Sequence, residues 1–119
     1  MNDEKRRIQR IILNAPIPAF LGGLAVTLVD ISTVGARIEH EFPLTGGRRF
    51  CLEFRLGDRK VAVQSEVVRC RLQRSAVGKE GFVYNSGLRF ADPAEPARAI
   101  VRQLVASLLT RRSESQAAV

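Results

Sequence analysis

Apolar and polar positions alternate with period two along most of the chain between residues 20 and 90, which predicts a protein built of β-strands with one buried face each. Leu24, Val26 and Leu28 alternate with Ala25 and Thr27 in the first such run. Phe20 and Leu21 are assigned to the same strand, with Gly22-Gly23 as a bend or bulge. A turn at Asp30–Gly35 leads to a second strand over residues 36–40. Pro43 and Gly46-Gly47 punctuate the next loop, after which Phe50, Leu52 and Phe54 share a face opposite Cys51, Glu53 and Arg55. Gly57-Asp58 closes a hairpin into a long strand over residues 60–72. There the apolar phase slips from Val61 and Val63 to Val68, Cys70 and Leu72, which predicts a bulge near residues 65–67 or a change of packing environment. In the last strand Phe82, Tyr84, Leu88 and Phe90 alternate with Val83, Asn85 and Arg89.

The period then changes. Asp92-Pro93-Ala94-Glu95 reads as N-cap, N1 proline and acidic N3. Ile100, Val101, Leu104, Val105, Leu108 and Leu109 follow at helical spacing, as one apolar stripe. Several short antiparallel strands followed by one amphipathic helix indicate a small all-β barrel with a C-terminal α-helix. Before it, residues 1–19 read as a basic arm and an extended connector carrying Pro16 and Pro18. The predicted organisation is an arm over 1–19, a barrel with its helix over 20–112, and a frayed tail over 113–119.

A chain of 119 residues with 45% hydrophobic and 26% charged residues can bury one core without staples, and is too apolar to be disordered. Two distant cysteines make neither a disulfide framework nor a multi-thiolate zinc site. The run Ile11–Val29 is uncharged, but Asn14, Pro16, Pro18, Gly22 and Gly23 interrupt it, so no membrane span or signal peptide is expected, and a cytoplasmic location is. A net charge of +7, with arginine as 16 of the 19 basic residues, suits an anionic partner, since a guanidinium fork pairs with phosphates and guanine edges and stacks on flat rings.

Catalysis has little support. His40, flanked by Glu39 and Glu41, reads as a strand-end surface residue without a His or Cys partner for a metal. Cys51 and Cys70 lack an activating base and read as small apolar residues, and Ser32 lacks the glycine-flanked elbow of a hydrolase. No enzyme, metal or cofactor is expected.

Two short motifs remain. Arg6-Arg7-Ile8-Gln9-Arg10 places two arginines at R-x-x-x-R spacing in the arm, and Asp30-Ile31-Ser32-Thr33-Val34-Gly35 is a D-x-S-x-x-G turn. In this order, ahead of a barrel and a C-terminal helix, they resemble the PilZ family of bacterial cyclic di-GMP (c-di-GMP) receptors. Ala36-Arg37, the stretch Glu66-Val67-Val68-Arg69 and the closing Gly87-Leu88-Arg89-Phe90 extend the resemblance over nearly the whole chain.

The resemblance implies a six-stranded split barrel and a stand-alone receptor or adaptor that binds c-di-GMP and signals to an effector protein. It implies Arg6 and Arg10 as arm ligands and Asp30, Ser32 and Gly35 as turn ligands; Arg7 and Lys5 match no required position of the motif but sit beside it as candidates for additional phosphate contacts. The chemistry agrees: arginine recognises guanine O6 and N7 and phosphate oxygens, and an ionised Asp accepts from guanine N1–H and N2. An arm ordered only by ligand is expected to create or hide a partner surface. Two other readings are compatible with the sequence: an adaptor of the same fold that no longer binds nucleotide, and a basic barrel that binds nucleic acid. Phe50, Phe54, Phe82 and Phe90 fall on core phases, leaving only Phe42 and Tyr84 as stacking platforms for the latter.

Overall fold

The computed structural model describes residues 10–73, 82–91, 99 and 101–108. Six strands, β1 (Ile11–Leu21), β2 (Leu24–Ile31), β3 (Gly35–His40), β4 (Arg49–Leu56), β5 (Arg59–Gln73) and β6 (Val83–Phe90), close into an antiparallel barrel in the order β1-β2-β3-β6-β5-β4. A C-terminal helix, α1, has residues 99 and 101–108 among those described.

The expected connector is a strand. Residues 11–19 are extended, as the prolines predict, but they pair: Ile11 lies opposite Ile31 and Ile17 opposite Leu28, with a register break between Ile12 and Ile17 that absorbs Pro16. β4 joins β1 only from Ala19 onward, so Pro16 and Pro18 face no partner there that needs their missing N–H. Phe20 and Leu21 accordingly end β1, and Gly22-Gly23 is a two-residue hairpin turn rather than a bend within one strand. Both glycines have positive φ (57° and 85°), the geometry of a tight turn that follows strand twist. The uncharged run thus supplies most of two barrel strands, and among the described residues no helix is long and apolar enough to cross a membrane.

Inward positions are mostly apolar. Leu21, Leu28, Ile31, Ile38, Leu52, Val61 and Val67 are almost fully buried, and burying each such side chain contributes about 1.5–3 kcal/mol. Val101, Leu104 and Val105 of α1 join this core with Leu108 against it, as the helical stripe predicts. Arg59 Nη1 donates to Gln103 Oε1 at 2.8 Å and ties the helix to the β4–β5 hairpin. The expected cap at Asp92–Glu95, together with Ile100, Leu109 and the tail, lies outside the described residues.

Burial departs from expectation at Phe82 and at His40, among others. Phe82 shares the inward phase of Ser86 and Leu88 but is 67% exposed, because it precedes β6, whose pairing with β5 begins only at Val83. His40 is only 4% exposed, because the β3–β4 loop folds back over it. Its Nδ1–H donates to the Phe42 carbonyl, its Nε2 accepts from Ser86 Oγ at 2.7 Å, and its ring stacks on Tyr84 at 5.8 Å. The Phe42 ring lies 5.1 Å from the same imidazole, so both expected stacking platforms pack on His40. Burial holds the imidazole below its usual pKa of 6.5.

Candidate functional site

The barrel's outer surface carries one row of residues that crosses five strands: Ile12 on β1, Asp30 on β2, Arg37 on β3, Gly87 on β6 and Arg69 on β5 are successive cross-strand partners. Directly paired residues put their side chains on the same side of the sheet. This row therefore points outward, while its inner neighbour (Ile11, Ile31, Ala36, Leu88, Val67) is buried.

Two bulges set that arrangement. The β2–β3 register shifts between Leu28 and Asp30, so Val29 is the extra residue. With continuous register Asp30 would follow Leu28 into the core, because a period-two strand repeats its direction every second residue. The bulge turns it outward, opposite Arg37. The β5–β6 register shifts between Val67 and Arg69, and here the extra residue is Val68. Without it Arg69 would follow Val67 inward; with it Arg69 faces Gly87 outside and Cys70 faces Ser86 inside. This second bulge is the phase slip seen in the sequence, placed slightly later. Val68 and Leu72 are nonetheless 60% exposed, since the bulge and the strand end leave them uncovered.

Asp30 lies on a strand facing outward, yet its side chain is only 6% exposed, because two guanidinium groups cover it. Arg10 Nε stands 3.8 Å from Oδ1 and Arg37 Nε 3.8 Å from Oδ2. Burial pushes the carboxyl above its ordinary value of 3.8, opposed by the charges of Arg10 and Arg37 and by a backbone hydrogen bond from Arg37.

Ser32 holds the turn. Its Oγ accepts the N–H groups of Val34 and Gly35, each at 3.2 Å, and its hydroxyl donates to the Gly35 carbonyl at 3.3 Å. Gly35 has a packing reason to be glycine: a Cβ there would meet the Leu88 carbonyl oxygen at 2.2 Å. Positive φ is not needed, since Gly35 is absent from the left-handed positions.

Around these residues opens a cleft of about 440 Å³, lined by Arg10, Ser32, Gly35, Arg37 and further by Arg69, Arg71, Asn85 and Arg89, with Val34 and Val68 as exposed apolar walls. Arg89 is paired with Glu66. Among the described residues, Arg69 and Arg71 make no ion pair. The sequence-predicted residues Arg10, Asp30, Ser32 and Gly35 are thus brought together, whereas Lys5, Arg6 and Arg7 lie outside the described residues. Arg37, Arg69, Arg71, Asn85 and Gly87 were given no role by motif reading. For Arg69 the signal was the phase slip in β5, which implied a bulge and hence a reversal of the face that Arg69 occupies.

A family model of the PilZ domain matches residues 4–107. Solved structures share the fold. The PilZ domain with c-di-GMP of YcgR from Escherichia coli superposes with a TM-score of 0.75 at 20% identity, covering 97% of this chain and 99% of that one. The MrkH–c-di-GMP complex from K. pneumonia gives 0.76 at 15% identity over 92% of this chain and 55% of that one. An uncharacterized Legionella protein gives 0.64 at 18% identity over 88% and 98%. Among curated proteins, none matches the sequence.

Proposed function

The chain belongs to the PilZ family, and from that premise we propose that it is a receptor for c-di-GMP, with Arg6, Arg10, Asp30, Ser32 and Gly35 at the binding site. The observation that carries this reading is the pairing of Arg10 with Asp30, one from each motif, with Arg10 and the turn residues Ser32 and Gly35 lining a single arginine-rich cleft. An anionic dinucleotide suits that cleft. Its two phosphodiester charges answer the excess of arginine, and the Asp30 carboxylate accepts from a guanine edge where adenine offers a different pattern.

In this reading the ligand replaces the partners that Asp30 holds beforehand. Arg10 turns from the carboxylate to phosphate or purine, and the guanine N1–H and N2 groups take its place at Asp30. Ser32 and Gly35 act mainly by shape: the hydroxyl fixes the turn, and the missing Cβ lets β3 close on β6. Arg6, with Lys5 and Arg7 beside it, adds phosphate contacts from the arm.

The output is a change of surface rather than a reaction. Ligand bridging the arm to β2 alters what the barrel presents to an effector protein. The binding role, rather than catalysis, is supported by the state of the polar side chains: the His40 ring is committed to Phe42 and Ser86, and the Ser32 hydroxyl to its own turn.

Hydrogen exchange with and without c-di-GMP tests the bridging. The reading expects new protection in peptides covering residues 1–12 and 28–37. Saturable binding without change in the N-terminal peptide would leave a receptor whose arm is not the moving part.

A further inference from the structure

Residues 11–36 contain no lysine or arginine, in a chain that has 19 of them. The barrel gathers outward positions of this stretch on one face. Pro18 on β1 lies opposite Thr27 on β2, which lies opposite Glu39 on β3. In the next outward row, Ala25 on β2 lies opposite Phe20 on β1, which lies opposite Glu53 on β4. Paired residues share a side of the sheet, and the alternate positions Ala19, Val26, Leu28 and Ile38 are buried, so both rows face solvent. Phe20 is 53% exposed, with Pro18 and Ala25 exposed beside it. Charge is graded across this face. On the β3 side, Glu39 and Glu41 bound a cavity of about 620 Å³ together with Pro18, Ala25 and Thr27. Among the described residues neither glutamate makes an ion pair. On the β4 side, Glu53 is already answered by Lys60 at 3.8 Å. This cavity shares no lining residue with the arginine-lined cleft, although Glu39 pairs across the sheet with Asn85 of that cleft.

We propose that this face docks a basic segment of the effector protein, with lysine or arginine side chains over Glu39 and Glu41 and an apolar side chain on Phe20. It rests on the receptor reading above for the existence of an effector, and names where that effector binds and by what chemistry. Long basic side chains fit the cavity in both of their parts: the methylene stem lies along Pro18, Ala25 and Thr27, and the charged head reaches the free carboxylates. Phe20 supplies the aromatic anchor on which binding energy concentrates in protein interfaces. The same glutamates repel the other anionic surfaces that a chain of net charge +7 would attract, nucleic acid and acidic lipid, so this face selects a basic protein partner. A second copy of the chain fits less well. Its basic surface is the ligand cleft, and a contact between face and cleft is head-to-tail, which builds open chains unless the rotation closes a ring.

Panning of a phage-displayed random dodecapeptide library on the wild type, with and without saturating c-di-GMP, tests the face. Selected peptides are then titrated by fluorescence anisotropy into the wild type, Phe20→Thr and the double variant Glu39→Gln/Glu41→Gln. Threonine favours a strand, so Phe20→Thr removes the anchor while β1 stays intact. The expected peptides carry lysine or arginine around an aliphatic or aromatic residue, and bind at least fivefold more weakly to each variant. Both variants are expected to keep the wild-type Tm and to bind c-di-GMP within twofold of wild type. Selection of acidic peptides only, selection of none, or basic peptides that bind both variants like wild type overturns the docking face and leaves the receptor standing. Sedimentation velocity that shows self-association of the wild type, abolished in Glu39→Gln/Glu41→Gln, overturns it in favour of a second copy. Absence of c-di-GMP binding, with basic peptides still selected and still lost in the variants, overturns the receptor and leaves the docking face.

Discussion

Arg10 and Asp30 meet with Nε 3.8 Å from Oδ1, although one lies ahead of the first strand and the other sits at the bulge of the second. The contact joins the last residue of R-x-x-x-R to the first of D-x-S-x-x-G. With Arg37 on the other oxygen, the carboxylate is closed off from solvent, and it is held there at a cost in solvation.

That cost sets the pH behaviour of the site. The Asp30 carboxyl titrates above its unfolded value in the folded protein, so it binds its proton more readily when folded. Its contribution to stability is then fully present below the unfolded pKa of 3.8 and is lost as pH rises through the folded value. Asp30→Asn is expected to be more stable than wild type at pH 7.5 by urea denaturation, because the two arginines it releases are exposed. Its affinity for c-di-GMP is expected to fall ten- to hundredfold, a loss of about 1.4–2.8 kcal/mol. A variant both less stable and equally able to bind contradicts this account of Asp30.

Binding by the wild type should weaken on acidification at a higher pH than an ordinary aspartate would give, because the acceptor role needs the ionised form. Calorimetric titrations between pH 4 and 7.5 measure the midpoint. Arg37→Gln removes one of the charges that favour ionisation and should move that midpoint upward, with Arg37→Lys nearer the wild type.

His40 titrates in the opposite sense. Its pKa is lowered in the folded protein, so its contribution to stability is present above 6.5 and is lost as pH falls toward the folded value. Urea denaturation should show the wild type less stable at pH 5.5 than at 7.5, with the difference reduced in His40→Gln. Truncation to alanine leaves the Phe42 carbonyl and Ser86 hydroxyl without their partner and should cost about 1–3 kcal/mol at pH 7.5.

Gly35→Ala should be more damaging than Gly87→Val, although both are strand glycines, since a Cβ at Gly87 would meet nothing within 4 Å. The added methyl at Gly35 meets a carbonyl oxygen of the facing backbone at 2.2 Å, and backbone cannot turn aside as a side chain does. A loss of about 1–3 kcal/mol is expected from overpacking, together with weaker ligand binding as β3 and β6 move apart. Equal Tm values for Gly35→Ala and wild type would show that the strands tolerate the separation.

Much of this was legible in the sequence, and the failures have physical causes. Alternation found the inward faces of the central strands, and the helical stripe found Val101, Leu104 and Val105. The prolines of residues 11–19 concealed a strand, because closure against β4 begins only after them. His40 looked like a surface residue because nothing local announces that the following loop returns over it to place the Phe42 carbonyl on Nδ1. At the site, the motifs marked Arg10, Asp30, Ser32 and Gly35, but not which face each residue occupies. The two bulges decide that, and only the one in β5 left a trace in the apolar phase.

The central claim is most directly tested by isothermal titration of c-di-GMP into wild type, Arg10→Ala and Asp30→Asn, with GTP and c-di-AMP as controls. The account predicts saturable binding to the wild type that is selective for the guanine dinucleotide and at least tenfold weaker in each variant. No binding to a folded wild type, or undiminished binding to Asp30→Asn, would contradict it.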